Sequence, residues 1–435
     1  MGIPTVAVIT ERFIDLFEYA AQLEGIPLLR YATATHPVAG QPHTVIRQRI
    51  GEEDPRTGKP FVQQLIHALT HPLSPDEAAV LEIQRPVPRM VQPDTPENLK
   101  QFFHDQGWTD GQPIVLPTPE RVSEMLQGTS RSPREQVGTM APSAAHEAWS
   151  FTVEKVAVNA VMAGCKPEHL PVLLAIASLE EISTPSSTVN TASMVVVNGP
   201  IREEIGMNWG VGAMGPHNPA NAVIGRAFQL MSRNLAGGLE PESTYLGTFG
   251  SSLSYNNIIF AENEDDSPWE PFHVSKGYKP EESVVSILSG SGGGWRAGGR
   301  DMAVDWESPI IKVASARPST TTQMVWVMDP LRAEELSEAG PFATKQELGR
   351  WFYDNVRLTA GEYWADRSVR LFKTGAARAG VEPYASWIDL PPEALIPKVA
   401  TPDHLQTIVV GGKTNNISEL YDWEYKKSAS VDAWR

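Results

Sequence analysis

Residues 207–226 (MNWGVGAMGPHNPANAVIGR) set Asn208, His217, Asn218, Asn221 and Arg226 among Gly210, Gly212, Gly215, Pro216 and Pro219. Glycine and proline bend the backbone tightly around amide, imidazole and guanidinium groups, and a helix beginning near residues 218–222 would add its N-terminal amides. Such a loop suits a carboxylate or phosphate, with Asn208, Asn218, Asn221 and Arg226 as substrate-binding groups and His217 exchanging a proton. An Asn-capped structural turn is the competing reading.

The word Glu262-Asn263-Glu264-Asp265-Asp266 follows the apolar run 258–261. If the strand continues, alternation puts Glu262 and Glu264 on one side as a general acid/base pair. Joined by His217 or His273 they would hold a divalent metal, and an exposed acidic turn is the alternative. Cys165, the only cysteine, follows a helix and precedes Lys166-Pro167. A reactive thiolate needs a depressed pKa, which Lys166, His169 or the next helix N-terminus would supply, whereas a small buried hydrophobe needs none of them. Gly411-Gly412 close a strand candidate, where backbone can approach a ligand. The Gly-rich stretch 289–300 carries Arg296 and Arg300 and reads as a loop folding over a substrate or as a connector. No HExxH, CxxC, GxSxG or EF-hand pattern occurs, which leaves the common metalloprotease, serine hydrolase and calcium classes without support.

The elements that position these groups read as α/β. Residues 3–10 form an apolar run suited to a strand buried on both faces, followed by a helix over 13–23 with Thr10 as N-cap, and by a second short strand over 26–30. This β-α-β unit, partial and flavodoxin-like, occupies residues 1–95 and lacks neighbours for its first strand, so a separate chain is expected to finish its sheet. A polar, Pro-punctuated stretch at 91–112 leads into a larger α/β region, 96–435. Helices are expected over 120–125, 152–164 and 170–179, and strands over 194–198, 258–261, 324–328 and 405–410. Residues 194–204 match 324–334 at six positions, each a β run leading through proline into an acidic segment. Two duplicated halves, or convergence of strand-Pro-helix junctions, would both produce this.

The 435 residues carry 36 basic and 52 acidic side chains, a net charge of −16, with 41% hydrophobic residues. That supports a globular core, excludes the basic footprint of a nucleic-acid binder, and leaves no run of about 20 apolar residues for a membrane-spanning helix. A lone cysteine and an N-terminus without a signal-like stretch make the cytoplasm the expected compartment.

Several stretches resemble the UGSC-like (seleno)protein family: GIPTVAVITERF at the start, the His36–Gly40 loop, DGQPIVLPTPERV, TVEKVAVNAVMAGCKPEHLPV, VVVNGPI, NPANAVIGRA and AENEDDSPWEP. The resemblance implies a reactive selenocysteine- or cysteine-Gly-Ser-Cys motif just before the helix that leads into the GIPTV strand. No Cys-Gly-Ser-Cys occurs in these residues. The opening unit is also similar, more weakly, to the selenol-bearing component of glycine and sarcosine reductases.

The expected function is that of the large subunit of a thiol- or selenol-dependent enzyme, an oxidoreductase or lyase, acting on a small polar organic molecule. A small partner chain would supply the CGSC or UGSC motif, in an oligomeric assembly. Competing readings are a self-sufficient lyase or hydrolase built on Glu262, Glu264 and His217, with or without a divalent metal, and a noncatalytic binding or scaffold subunit. The cofactor is not readable from the sequence.

Overall fold

The computed structural model describes residues 4–23, 25–38, 41–80, 89–140, 149–183, 189–236, 249–297, 305–316, 318, 321–339 and 342–435. Ile3 of the first strand, Ala39-Gly40 of the His36 loop and residues 298–300 of the Gly-rich stretch lie outside them.

The chain is α/β. Its first unit pairs β1 (Ala7–Thr10) in parallel with β2 (Tyr31–Ala34), joined through the helix Ile14–Leu23. The second strand begins five residues later than the sequence reading places it. Residues 26–30 form turns instead, because Gly25 takes φ 73° and Pro27 offers no amide to a ladder. All of β2 is buried, with Ala32 and Ala34 packed on Phe61 of the helix Phe61–Thr70. Fully buried Asp54 accepts from Thr33 N at 2.7 Å and from Arg56 N at 2.9 Å, which satisfies its charge and pins the strand. β1 has β2 as its one strand neighbour among the described residues, and Val8 is 57% exposed.

An antiparallel pair, β3 (Gln136–Met140) and β4 (Trp149–Thr152), leads into the main body. There β5 (Thr191–Asn198) runs parallel to β6 (Ile258–Ala261) and antiparallel to β7 (Val284–Ser291). A second sheet holds β8 (Trp295–Ala297) and β9 (Met324–Met328), and β10 (Arg357–Thr359) pairs with β11 (Leu395–Pro397) to one side. The chain closes with β12 (Leu405–Val409), β13 (Ser418–Tyr421) and β14 (Trp423–Ser430). The orders are β14-β7-β5-β6 and β12-β9-β13-β8.

Both sheets are covered on both faces, which is why their strands read as continuous apolar runs. Val195, Val197, Val285 and Ile287 join the core made with the helices Val153–Ala163, Leu170–Ser178 and Pro219–Ala236. Alternate residues Met194, Val196 and Leu288 face Val325, Val327 and Ile408 of the second sheet. The far side of that sheet, with Met324, Trp326 and Met328, packs on the helices Glu307–Ser315, Pro330–Ala339 and Lys345–Asn355. The result is four layers, helix-sheet-sheet-helix.

The two sheets share one plan and exchange strands. In each, a parallel pair (β5 with β6, β9 with β12) is followed by an antiparallel neighbour (β7, β13) and then by an edge strand that continues the other sheet's chain (β14, β8). Thus β7 passes through residues 292–294 into β8, and β13 passes through Asp422 into β14. At the crossing a Cβ on Gly290 would lie 2.3 Å from the Trp423 ring, and one on Gly294 2.5 Å from Tyr421, so only glycine fits at either place. The matching words at 194–204 and 324–334 occupy equivalent strands, β5 and β9.

Candidate functional site

The carboxyl ends of β5 and β6 bring the two predicted glutamates together. Asn198 Nδ2 donates to Glu262 Oε2 at 2.6 Å and to Glu264 Oε1 at 2.9 Å. Gly199 N and Arg202 Nε also reach Glu264 Oε1, at 2.8 and 3.2 Å. Glu262 has no exposed surface: Oε1 pairs with Lys345 Nζ at 3.0 Å and Oε2 accepts from Phe272 N at 2.5 Å. A carboxylate so enclosed and so fully hydrogen-bonded holds elements together, whereas a general base needs a face toward substrate. Arg202 completes the knot, donating to Glu262 O at 2.9 Å and lying 4.9 Å from the Trp209 ring centre. Asn198, Arg202 and Lys345 escaped the sequence reading. The signal available for two of them was the Asn-Gly-Pro-Ile-Arg word that closes β5.

The 208–226 loop and Gly411-Gly412 meet at this same end of the sheets. Gly411 N donates to Trp209 O at 2.8 Å, and Asn263 Nδ2 donates to Gly411 O at 2.9 Å. Gly411 takes φ 99°, and a Cβ on Gly412 would fall 2.3 Å from Val211 Cγ2, so these glycines admit the loop. The three segments therefore converge, but the groups expected to hold an anion are used internally. Asn218 donates to Gly212 O and Gly215 O at 2.7 and 2.9 Å and accepts from Asn208 Nδ2 at 2.7 Å. Asn221 accepts from Asn208 N at 3.1 Å and donates to Ala213 O at 3.1 Å. Arg226 makes a two-bond fork with Asp110, Nε to Oδ2 at 2.8 Å and Nη2 to Oδ1 at 2.9 Å. This tethers the helix Pro219–Ala236 to the segment after Trp108, and the guanidinium is spent there. His217, at φ 70°, stands exposed on the loop.

Cys165 lies just past the helix Val153–Ala163, which Gly164 ends at φ 86°. Its Sγ donates to Val223 O at 3.4 Å, and burial pushes the thiol well above its ordinary range, with Arg226 opposing weakly. The activators expected from sequence are otherwise engaged: Lys166 is exposed beside Glu168 at 3.7 Å, and burial lowers the pKa of His169. His273 is fully buried, its Nε2 3.1 Å from Lys279 O. Among the described residues no three His, Cys, Asp or Glu side chains converge as a metal site.

A further polar group stands at the carboxyl edge of the first unit, where parallel sheets collect ligands. Thr10 Oγ1 and His36 Nδ1 are 2.9 Å apart, joining the ends of β1 and β2, and Phe13 packs on the imidazole with ring centres 5.6 Å apart. Glu11 Oε1 accepts from His36 N at 3.3 Å. The sequence reading gave Thr10 a helix-capping role, yet its hydroxyl makes no cap bond and turns to the imidazole instead. Only the pairing of β1 with β2 brings residues 10 and 36 together, so no local pattern announced it. No curated protein and no solved structure matches the chain. Residues 1–56, which carry β1, β2 and the Thr10–His36 pair, match the model of the UGSC family, consistent with a UGSC-like family member.

Proposed function

We propose that the chain is the large subunit of a thiol- or selenol-dependent enzyme acting on a small polar organic molecule by reduction or carbon–heteroatom cleavage. A small partner chain brings a Cys-Gly-Ser-Cys or selenocysteine-Gly-Ser-Cys motif to the carboxyl edge of β1 and β2. The observation that carries this reading is the open strand: the unit that matches the UGSC family leaves β1 with one strand neighbour among the described residues and Val8 in water. A parallel strand of this kind is stable when both sides are covered. His36, oriented by Thr10, takes the proton as the incoming thiol or selenol ionises, and oxidation of the motif to its bridged form supplies two electrons. Cys165, half-buried with its Sγ on Val223 O and its thiol pushed above the ordinary range by burial, is not assigned this role.

The test is hydrogen exchange across Ala7–Thr10 in the chain alone and in its complex with a small chain bearing the motif. Rapid exchange alone, slowed on complex formation, is expected, together with turnover that iodoacetamide abolishes through the partner's cysteines. Slow exchange at Ala7–Thr10 in the isolated monomer would sink the proposal.

A further inference from the structure

A cavity of about 510 Å³ lies between the helices Val153–Ala163, Pro219–Ala236 and Pro96–Asp105 and the segments 89–93 and 108–119. Its size falls within the range of small-molecule pockets. The walls are apolar: Phe103 and Trp108 meet edge to face with ring centres 5.3 Å apart, and Leu116, Val158 and Met162 face the same space. One polar wall is fixed in place, since Asn234 Nδ2 donates to Asn159 Oδ1 at 2.7 Å and to Trp108 O at 3.1 Å.

The charge of the lining departs from that of the molecule. The chain as a whole carries −16, yet among the described residues no aspartate or glutamate lines this cavity, whereas Arg89 and Lys155 do. Arg89 is paired with Glu154. Lys155, one turn before Asn159 on the same helix, makes no ion pair among the described residues. An ammonium at the rim of an apolar chamber, with no ion pair among the described residues, suits a ligand with an apolar body and one negative end.

We propose that this cavity binds a small monocarboxylate whose flat or branched apolar body lies against Phe103, Trp108 and Met162 and whose carboxylate meets Lys155. The site is separate from the Thr10–His36 edge and does not depend on a partner chain.

The test is calorimetric titration of the full chain with 3-phenylpropionate and 4-methylpentanoate, with 3-phenylpropan-1-ol as the uncharged control. Single-site binding of at least one acid is expected, roughly tenfold or more tighter than the alcohol. Lys155→Glu should weaken the acids by a similar factor and leave the alcohol unchanged. Val158→Trp, which fills the chamber from a half-buried position, should abolish binding of all three while the melting temperature and circular dichroism stay near those of the unmodified chain. If Val158→Trp unfolds the protein, the Lys155→Glu comparison decides alone. The proposal is overturned if neither acid binds saturably, if the alcohol binds as tightly as the acids, or if Lys155→Glu binds the acids unchanged.

Discussion

At the scale of single residues, burial shifts the proton equilibria of Cys165 and of Lys276. Burial pushes the pKa of the half-buried Cys165 thiol upward, with Arg226 opposing. Alkylation by iodoacetamide at neutral pH should therefore be slow in the folded chain and fast after denaturation, and Cys165→Ala should shift stability by no more than about 1 kcal/mol. Rapid labelling of the native protein would contradict this. Lys276 shows the same force acting on a cation. It sits 4.8 Å from the Phe272 ring centre and 4.6 Å from that of Tyr425, with its ammonium on Gln406 Oε1. Burial first, and Lys345 second, lower its pKa to about 8, with Asp403 opposing. A folded pKa below the unfolded one means the unfolded chain binds the extra proton. The destabilisation is thus complete below pH 8 and relieved as pH rises toward the unfolded value near 10.5. Lys276→Met should be more stable than the unmodified chain at pH 7, on the order of 3 kcal/mol at most, with the gap closing by about pH 10. Urea unfolding at several pH values measures it, and a gap independent of pH refutes it.

At the scale of elements, the acidic turn after β6 ties a strand end to the helix Lys345–Asn355. Replacing Glu262 by Gln leaves Lys345 charged, 7% exposed and without its counter-ion. The expected cost is about 3–5 kcal/mol of stability, largely recovered by adding Lys345→Met, because removing both charges costs less than stranding one. Thermal or urea unfolding of the two variants checks this, and equal losses in both would show that the pair does not couple. The helices near 120–125, 152–164 and 170–179 and the strands at 194, 258, 324 and 405 were legible, since each carries a cap, a breaker or a run that acts within a few residues. Glu262 and Glu264 do share Asn198, but β6 ends at Ala261 and Glu264 N donates to Glu262 O at 3.0 Å, so a turn rather than the alternation of a continuing strand brings them together. What covers those carboxylates was not legible, because Lys345 lies 83 residues away in sequence and reaches Glu262 only when the sheets stack. Arg226 finding Asp110 across 116 residues, and Thr10 finding His36, are hidden likewise. The second strand was misplaced by a purely local cause, the Gly25–Pro27 turn.

At the scale of the whole molecule, the shared core between the sheets and the exchange of β8 and β14 make the main body one cooperative unit. The carboxyl terminus takes part: Thr129 Oγ1 donates to Trp434 O at 2.6 Å, and Arg435 pairs with Glu204 at 2.6 Å. Deleting residues 423–435 removes the edge strand of the sheet that contains β5, and the truncated chain is expected to partition into the insoluble fraction. A soluble truncation that melts like the full chain would show that β14 is dispensable.

The reciprocal strands also impose a schedule on synthesis. β7 is complete when Ser291 leaves the ribosome, but the strand that covers its outer edge ends at Ser430, about 140 residues later. At roughly 5–20 residues per second, that is about 7–28 s. Throughout this interval a long apolar edge, from Val284 to Gly290, has no native partner to pair with, and it offers its unpaired amides and carbonyls to any other nascent strand nearby. The arrangement that locks the finished molecule is thus expected to leave the growing chain exposed to pairing with sister chains, and slowing translation between β7 and β14 should lower the soluble yield more than slowing it before β5.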